Sequence, residues 1–397
     1  MFKIQTLNNI SIKGLERLPR DRYEVASEII NPDAILVRSA PMHDMEIPPT
    51  VKAIGRAGAG VNNIPVEAMS RRGVVVFNAP GANANAVKEL VLAAMLMAAR
   101  NIPQAWDFAR GLSGSDAAID QLVEAGKKRF VGFELPGRTL GVIGLGAIGV
   151  QVANAAHALG MEVIGYDPEI TVSRAWQLSS EVRQAHSVDE VVTRSQFVSV
   201  HVPLTDSTRG MINAERIRNM PRDGVILNFS RAGIVDDEAV IAALDEGRLW
   251  AYACDFPSAL IKDHPRVIAL PHLGASTREA EENCAIMVAE QIRDFLENGN
   301  IRNSVNFPDV VMPRTGRGPR LAIANANVPN MLGQISAALG EAGVNILDMY
   351  NKSRGEVAYT LVDVGVNYAL NDSVTLKGAV YNLFDERYYA AHGSGSR

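Results

Sequence analysis

Residues 137–168 read "GRTLGVIGLGAIGVQVANAAHALGMEVIGYDP". Leu140 to Ile143 are apolar enough for a short buried strand, Gly144, Gly146 and Gly149 follow with G-x-G-x-x-G spacing, and the segment to Leu159 has a helical pattern. A strand, a glycine turn and a helix in that order bring backbone N–H groups at a helix N-terminus close to a pyrophosphate. The next strand, "EVIGYD", ends in Asp167, whose carboxylate accepts hydrogen bonds from a ribose diol and repels a 2′-phosphate. The stretch predicts a dinucleotide-binding unit that favours NAD over NADP; glycines serving helix packing alone are the alternative.

The same alternation of apolar runs and amphipathic stretches fills most of the chain. "AILVRS" (34–39), "VKAIGRAG" (51–58) and "GVVVFNAP" (73–80) read as strands with helical patterns between them, the rhythm of a parallel α/β sheet. The stretch 84–100, "ANAVKELVLAAMLMAAR", is nearly apolar all round and predicts a buried helix. At 397 residues the chain is too long for one ordinary core, so two or three domains are expected. A hydrophobic share of 47% and a formal charge of -5 without a basic stripe favour a small-molecule enzyme over a nucleic-acid binder. The first twenty residues lack the apolar core of a signal peptide and no uncharged run is long enough to span a bilayer, so a cytoplasmic protein without a membrane partner is expected. Cys254 and Cys284 have no metal-ligand spacing; both read as buried thiols, and no metal is expected.

Further strands are expected at 197–204, 224–230, 249–256 and 266–272. In an open parallel sheet, ligands collect outside the carboxyl ends of the strands, where His201, Arg231, Asp255 and His272 fall. Oxidising a secondary alcohol needs a group that accepts the hydroxyl proton, a task suited to imidazole, and arginine offers a planar fork to a carboxylate. Arg231 would then face the nicotinamide. Alternatively, His272 caps the next helix and Arg231 pairs with Asp236 or Asp237; for His43, His157, His186 and His264, surface or packing roles are the better reading.

"GLGAIG", "YDP", "HVPLTDSTRGMIN", "NFSRAGIVDDEAVIAAL" and "PHLGASTREAEENCA" together resemble the D-isomer-specific 2-hydroxyacid dehydrogenases. "RSAPMHDMEIPP", "GRAGAGVNNI", "FNAPGANANAVKELVLA" and "ENGNIRNSVNFP" resemble the phosphoglycerate-oxidising branch of that family. The resemblance implies an α/β fold with two Rossmann-like doubly wound domains, a substrate domain at 1–97 and 273–305 and an NAD-binding domain at 98–272. It implies Arg231 as the group that binds the substrate carboxylate and polarises the C2 oxygen, and His272 as the acid/base. Arg38, Ser39, Arg56 and Asn83, with Lys127 or Lys128, are implied for the substrate. For NAD it implies Gly144, Gly146, Ala147, Ile148, Gly149, Tyr166, Asp167, His201, Val202, Pro203, Thr208, Phe229, Ser230, Asp255 and Gly274. The implied substrate is 3-phosphoglycerate and the implied assembly a homodimer or homotetramer; another small D-2-hydroxy acid of the glyoxylate or hydroxypyruvate type, or a non-catalytic NAD-sensing protein, is the alternative. One departure stands out. The family's glutamate, a few residues after Asp255, is replaced within "CDFPSALIKDH" by Ala259 and Leu260, leaving Asp263 as a substitute if the loop folds back.

After a linker expected at 306–318, residues 319–364 follow a β-α-β-β pattern that resembles the first half of an ACT-type regulatory domain. Asn325, Asn327 and Asn345 match or approximate serine-binding positions there, so serine is an expected effector; turn formation is the alternative role for these asparagines. Residues 365–397 break the pattern with a β-hairpin signal, and "YNLFDERYY" resembles near-terminal strands of TonB-dependent outer-membrane receptors, as a fused C-terminus would. A divergent end to the regulatory domain is the alternative.

Overall fold

The computed structural model describes residues 1–316, 318–365 and 388–391, the last four as backbone. The chain forms two compact units, one of Met1–Ala82 with the chain from Glu281 onward, the other Asn83–Ala280. These divisions fall at 82/83 and 280/281, not at the expected 97/98 and 272/273. The helix Ala84–Ala99 belongs with the second unit, where Trp250 Nε1 donates to Ala98 O (2.8 Å).

The first unit is built on a parallel five-stranded sheet of β1 (Phe2–Leu7), β2 (Tyr23–Ala26), β3 (Ala34–Val37), β4 (Ala53–Arg56) and β5 (Val75–Phe77), in the order β2-β1-β3-β4-β5. All four residues of β3 are buried, as expected of a central parallel strand covered on both faces. The strand order reverses between β1 and β3, so the loops after them, with Asn8, Arg38 and Ser39, lie at the switch point where such sheets take ligands.

The second unit carries a parallel seven-stranded sheet of β6 (Thr139–Ile143), β7 (Glu162–Tyr166), β8 (Arg183–Gln184), β9 (Phe197–Val200), β10 (Gly224–Asn228), β11 (Leu249–Cys254) and β12 (Val267–Ala269), ordered β12-β11-β10-β9-β6-β7-β8. Its switch point lies between β6 and β9, beside the glycine turn. The strands end earlier than the apolar runs do: β12 stops at Ala269, and Pro271 and His272 belong to the loop beyond it. The helix Ala84–Ala99 buries Val87, Val91, Ala94, Met95 and Ala98, but Leu96 is 43% exposed, so it is covered on one face only.

β13 (Arg320–Ala326), β14 (Asn345–Arg354), β15 (Val357–Gly365) and β16 (Tyr388–Ala391) form an antiparallel sheet ordered β14-β15-β13-β16, with the helix Met331–Glu341 after β13. Arg320 is fully buried and forks onto Asp363 (2.6 and 2.8 Å), while its remaining N–H groups reach the carbonyls of Asn298, Met312 and Pro313. Charge pairing and carbonyl partners together satisfy the guanidinium, the condition under which a buried ion pair persists. Within the expected linker, Phe307, Val310 and Met312 are buried in the core of the first unit because their apolar side chains interrupt its polar composition. The hairpin and receptor-like reading of 365–397 falls, beyond Gly365 and the backbone of β16, outside the described residues.

Candidate active site

The glycine turn of the second unit connects β6 to the helix Ala147–Ala158. Gly144 has φ +92°, in the left-handed region that favours glycine, and a Cβ on Gly149 would overlap the Gly144 carbonyl oxygen. Asp167 follows β7 and closes this turn: Leu145 N–H donates to Oδ2 (2.8 Å) and Glu169 N–H to Oδ1 (2.9 Å). The helix N-terminus, the open space around Gly146 and a carboxylate after the neighbouring strand fit a dinucleotide's pyrophosphate and ribose, while Gly149 lets the helix pack close against the turn. Ala147 and Ile148 open the helix, and Tyr166 ends β7.

Across the switch point, His201 N–H donates to Ile143 O (2.7 Å). His201 is partly buried; Nε2 lies 2.8 Å from Ser199 Oγ, and Nδ1 is buried with no hydrogen-bond partner among the described residues. Burial lowers its pKa to about 4, so the ring is neutral near pH 7. Val202 and Pro203 follow, and Thr208 Oγ1 folds the loop back by donating to Pro203 O (2.6 Å) and accepting from Thr205 N (2.8 Å).

Arg231 sits just past β10. Asn228 Nδ2 donates to Arg231 O (3.0 Å), Ser230 Oγ donates to Val200 O (2.9 Å), and Phe229 is buried, so the backbone on either side is fixed while the Arg231 residue itself is exposed. Its Nη1 reaches Ser230 O (2.6 Å). Asp236 instead accepts from Ala239 N (3.1 Å) as a helix cap, and Asp237 takes Ser258 Oγ (2.8 Å).

His272 also sits on a fixed loop. Asp255 is 1% exposed; Leu273 N–H and Gly274 N–H donate to its two carboxylate oxygens, each at 2.7 Å, and His272 N–H donates to Asp255 O (3.1 Å). The backbone at His272 has φ 56°, a costly conformation for a non-glycine residue that these bonds sustain. The imidazole meets the Phe256 ring edge on, with centroids 5.1 Å apart. Asp263 is 80% exposed and ion-paired with Lys262.

In the first unit, Arg38 and Ser39 follow β3 and Arg56 ends β4. Arg56 Nε donates to Arg38 O (3.0 Å), Asn8 Oδ1 accepts from Ser39 N (3.3 Å) and Ala40 N (2.6 Å), and Arg38 Nη2 lies 2.7 Å from Glu281 Oε1. Asn83 occupies the N-cap position of the helix Ala84–Ala99 in the second unit without a side-chain capping bond; in the same unit Lys127 pairs with Glu124 (2.5 Å) and Lys128 lies exposed in the 3-10 turn Lys127–Phe130. Asn325 and Asn327 lie at or beyond one end of β13, near the β14–β15 turn, whereas Asn345 pairs with Gly365 at the far end of the sheet, so one chain does not bring the three together. Sequence reading missed Phe256, Ser199 and Glu281. Only the aromatic directly after Asp255 offered a signal.

Among the described residues, no helix is long and apolar enough to cross a membrane and no cluster of ligating side chains could hold a metal ion. Residues 92–274 match the family described as D-isomer specific 2-hydroxyacid dehydrogenase, NAD binding domain. The chain is 39% identical over 353 residues to D-3-phosphoglycerate dehydrogenase of Methanocaldococcus jannaschii, covering 86% of this chain and 64% of that one. It is 33% identical over 337 residues to the enzyme of that name from Haemophilus influenzae, covering 82% and 78%. A solved NAD+-bound 3-phosphoglycerate dehydrogenase of Entamoeba histolytica superposes with a TM-score of 0.58 at 29% identity, covering 77% of this chain and 98% of that one. Against several curated relatives the chain spans about half to two thirds of their length (64%, 54% and 49%). The chain belongs to the D-isomer specific 2-hydroxyacid dehydrogenase family, and its second unit carries that family's NAD-binding domain.

Proposed function

We propose that the chain is an NAD-dependent dehydrogenase that oxidises D-3-phosphoglycerate to 3-phosphohydroxypyruvate, the entry reaction of serine synthesis. The observation that carries this reading is the placement of Arg231 and His272 on fixed loops beyond β10 and β12, on the sheet that bears the glycine turn. Bound NAD supplies the two-electron acceptor for the C2–H bond of the substrate. Arg231 holds the substrate carboxylate through its planar fork and draws electron density from the C2 oxygen. His272 takes the hydroxyl proton as the carbonyl forms, and returns it in the reverse direction. Arg38, Ser39 and Arg56 are proposed to recognise the phosphate, a role suited to two guanidiniums beside a hydroxyl.

The similarity to enzymes named D-3-phosphoglycerate dehydrogenase supports the phosphorylated substrate. A smaller, unphosphorylated D-2-hydroxy acid is favoured by one observation, the carboxylate of Glu281 on Arg38. Initial rates of NAD reduction with D-3-phosphoglycerate, D-glycerate and D-lactate separate the two: the proposal requires the highest kcat/KM for the phosphorylated acid, and a preference for D-lactate contradicts it. We further read 319–364 as an ACT-like serine-responsive module, supported by the order strand, helix, strand, strand. Because Asn345 lies at the other end of the sheet from Asn325 and Asn327, a serine site that used all three would need two copies of the chain, in keeping with a homodimer or homotetramer.

A further inference from the structure

Arg38 is proposed above as a phosphate ligand, yet its guanidinium already has an anionic partner. Glu281 Oε1 stands 2.7 Å from Arg38 Nη2, and the two side chains are 44% and 37% exposed, so solvent and solutes reach the pair. Glu281 projects from the long helix Arg278–Asn298, one turn before Cys284. Cys284 is 4% exposed; burial pushes its thiol pKa up, the charges of Arg56 and Arg38 pull it down, and Glu281 raises it again. Two cations and one carboxylate therefore share the switch-point end of the first sheet, and the carboxylate is the member with no place in recognition of an anion.

We propose that Glu281 is a specificity-determining residue that competes with the anionic substrate for Arg38. This rests on the reading of Arg38 as a substrate-binding residue. A phosphate monoester carries between one and two negative charges near neutral pH, and a 2-hydroxy acid adds a carboxylate. Glu281 opposes such a ligand twice, by occupying guanidinium donors and by like-charge repulsion, and it opposes a singly charged acid less. Its presence shifts preference away from the phosphorylated acid and raises KM without touching the atoms that react.

Glu281→Gln tests this, because the amide keeps the size and an acceptor for Arg38 and removes only the charge. KM for D-3-phosphoglycerate should fall about threefold to fivefold, the scale of an exposed ion pair. KM for D-glycerate should fall by less, and kcat should move less than twofold. Glu281→Ala should act in the same direction, with thermal melts of both variants reporting folding. A KM for phosphoglycerate that stays the same or rises in both folded variants overturns the proposal and makes Glu281 a support for Arg38. Arg38→Ala separates the two levels: if it raises KM at least tenfold while Glu281→Gln has no effect, only the competition fails; if it leaves KM unchanged, the substrate role of Arg38 and the competition both fail.

Discussion

The imidazole of His272 meets the edge of the Phe256 ring, centroids 5.1 Å apart and planes inclined at 60°. An aromatic edge constrains the ring's orientation without offering a carboxylate to its second nitrogen. Phe256→Ala frees that orientation, and misplacement of a reacting group costs up to about 100-fold. We expect kcat to fall about tenfold in Phe256→Ala and to persist in Phe256→Tyr, with NAD affinity equal in both. Steady-state kinetics and a cofactor titration check this; a Phe256→Ala enzyme with full kcat removes the ring from the account.

Asp255 holds the loop that carries His272 through both carboxylate oxygens. Asp255→Ala leaves two backbone N–H groups without that acceptor, at about 1–3 kcal/mol for each one that stays buried. The variant should melt several degrees lower and lose most of its activity. Asp255→Asn, which keeps one acceptor, should fall between. Calorimetry alongside initial rates separates loss of fold from loss of alignment.

His201 makes stability depend on pH. Its folded pKa is lowered to about 4 from 6.5 by burial, so between those values the unfolded chain binds a proton that the native imidazole refuses. The stability is therefore intact above about pH 6.5 and declines as pH falls toward 4, by about 3 kcal/mol from this group. Urea melts from pH 7.5 to pH 4.5 should show the decline, and His201→Asn should flatten part of it. An unchanged slope in that variant assigns the acid sensitivity to other groups.

Much of the second unit was legible in the sequence because its constraints are local. Gly144 must adopt a positive φ and Gly149 must let the Gly144 carbonyl approach, and each leaves a glycine at fixed spacing. Asp167 was legible for the same reason, as the last residue of an apolar run. The helix 84–99 was legible as a helix but not in its burial, since alanines at nearly every turn do not tell the packed face from the one carrying Leu96. The double backbone contact of Asp255 was not legible, because it joins residues separated by a loop of no fixed length. Glu281 was invisible for a further reason: a glutamate on a charged helix looks like ordinary solvated surface until β3 brings Arg38 to it.

Asp167 also predicts cofactor choice. Its carboxylate is fixed beside the glycine turn, where a 2′-phosphate would meet a like charge. Asp167→Ala should narrow the preference for NAD over NADP by about tenfold, the equivalent of roughly 1.4 kcal/mol of repulsion. Comparing kcat/KM for the two cofactors in both proteins decides it; wild-type enzyme that uses them equally contradicts the role given to this residue.

The most direct measurement is the initial rate of NAD reduction by D-3-phosphoglycerate in the wild-type chain and in Arg231→Ala. Arg231 stands beyond β10 on a backbone pinned by Asn228 and Ser230, with Asp236 and Asp237 engaged elsewhere, so its removal should not disturb the fold. The predicted result is robust NAD-dependent turnover in the wild type, kcat/KM lower by about two to four powers of ten in the variant, and unchanged NAD binding. Turnover in Arg231→Ala close to wild type, or none in a wild-type chain that binds NAD, would contradict the assignment.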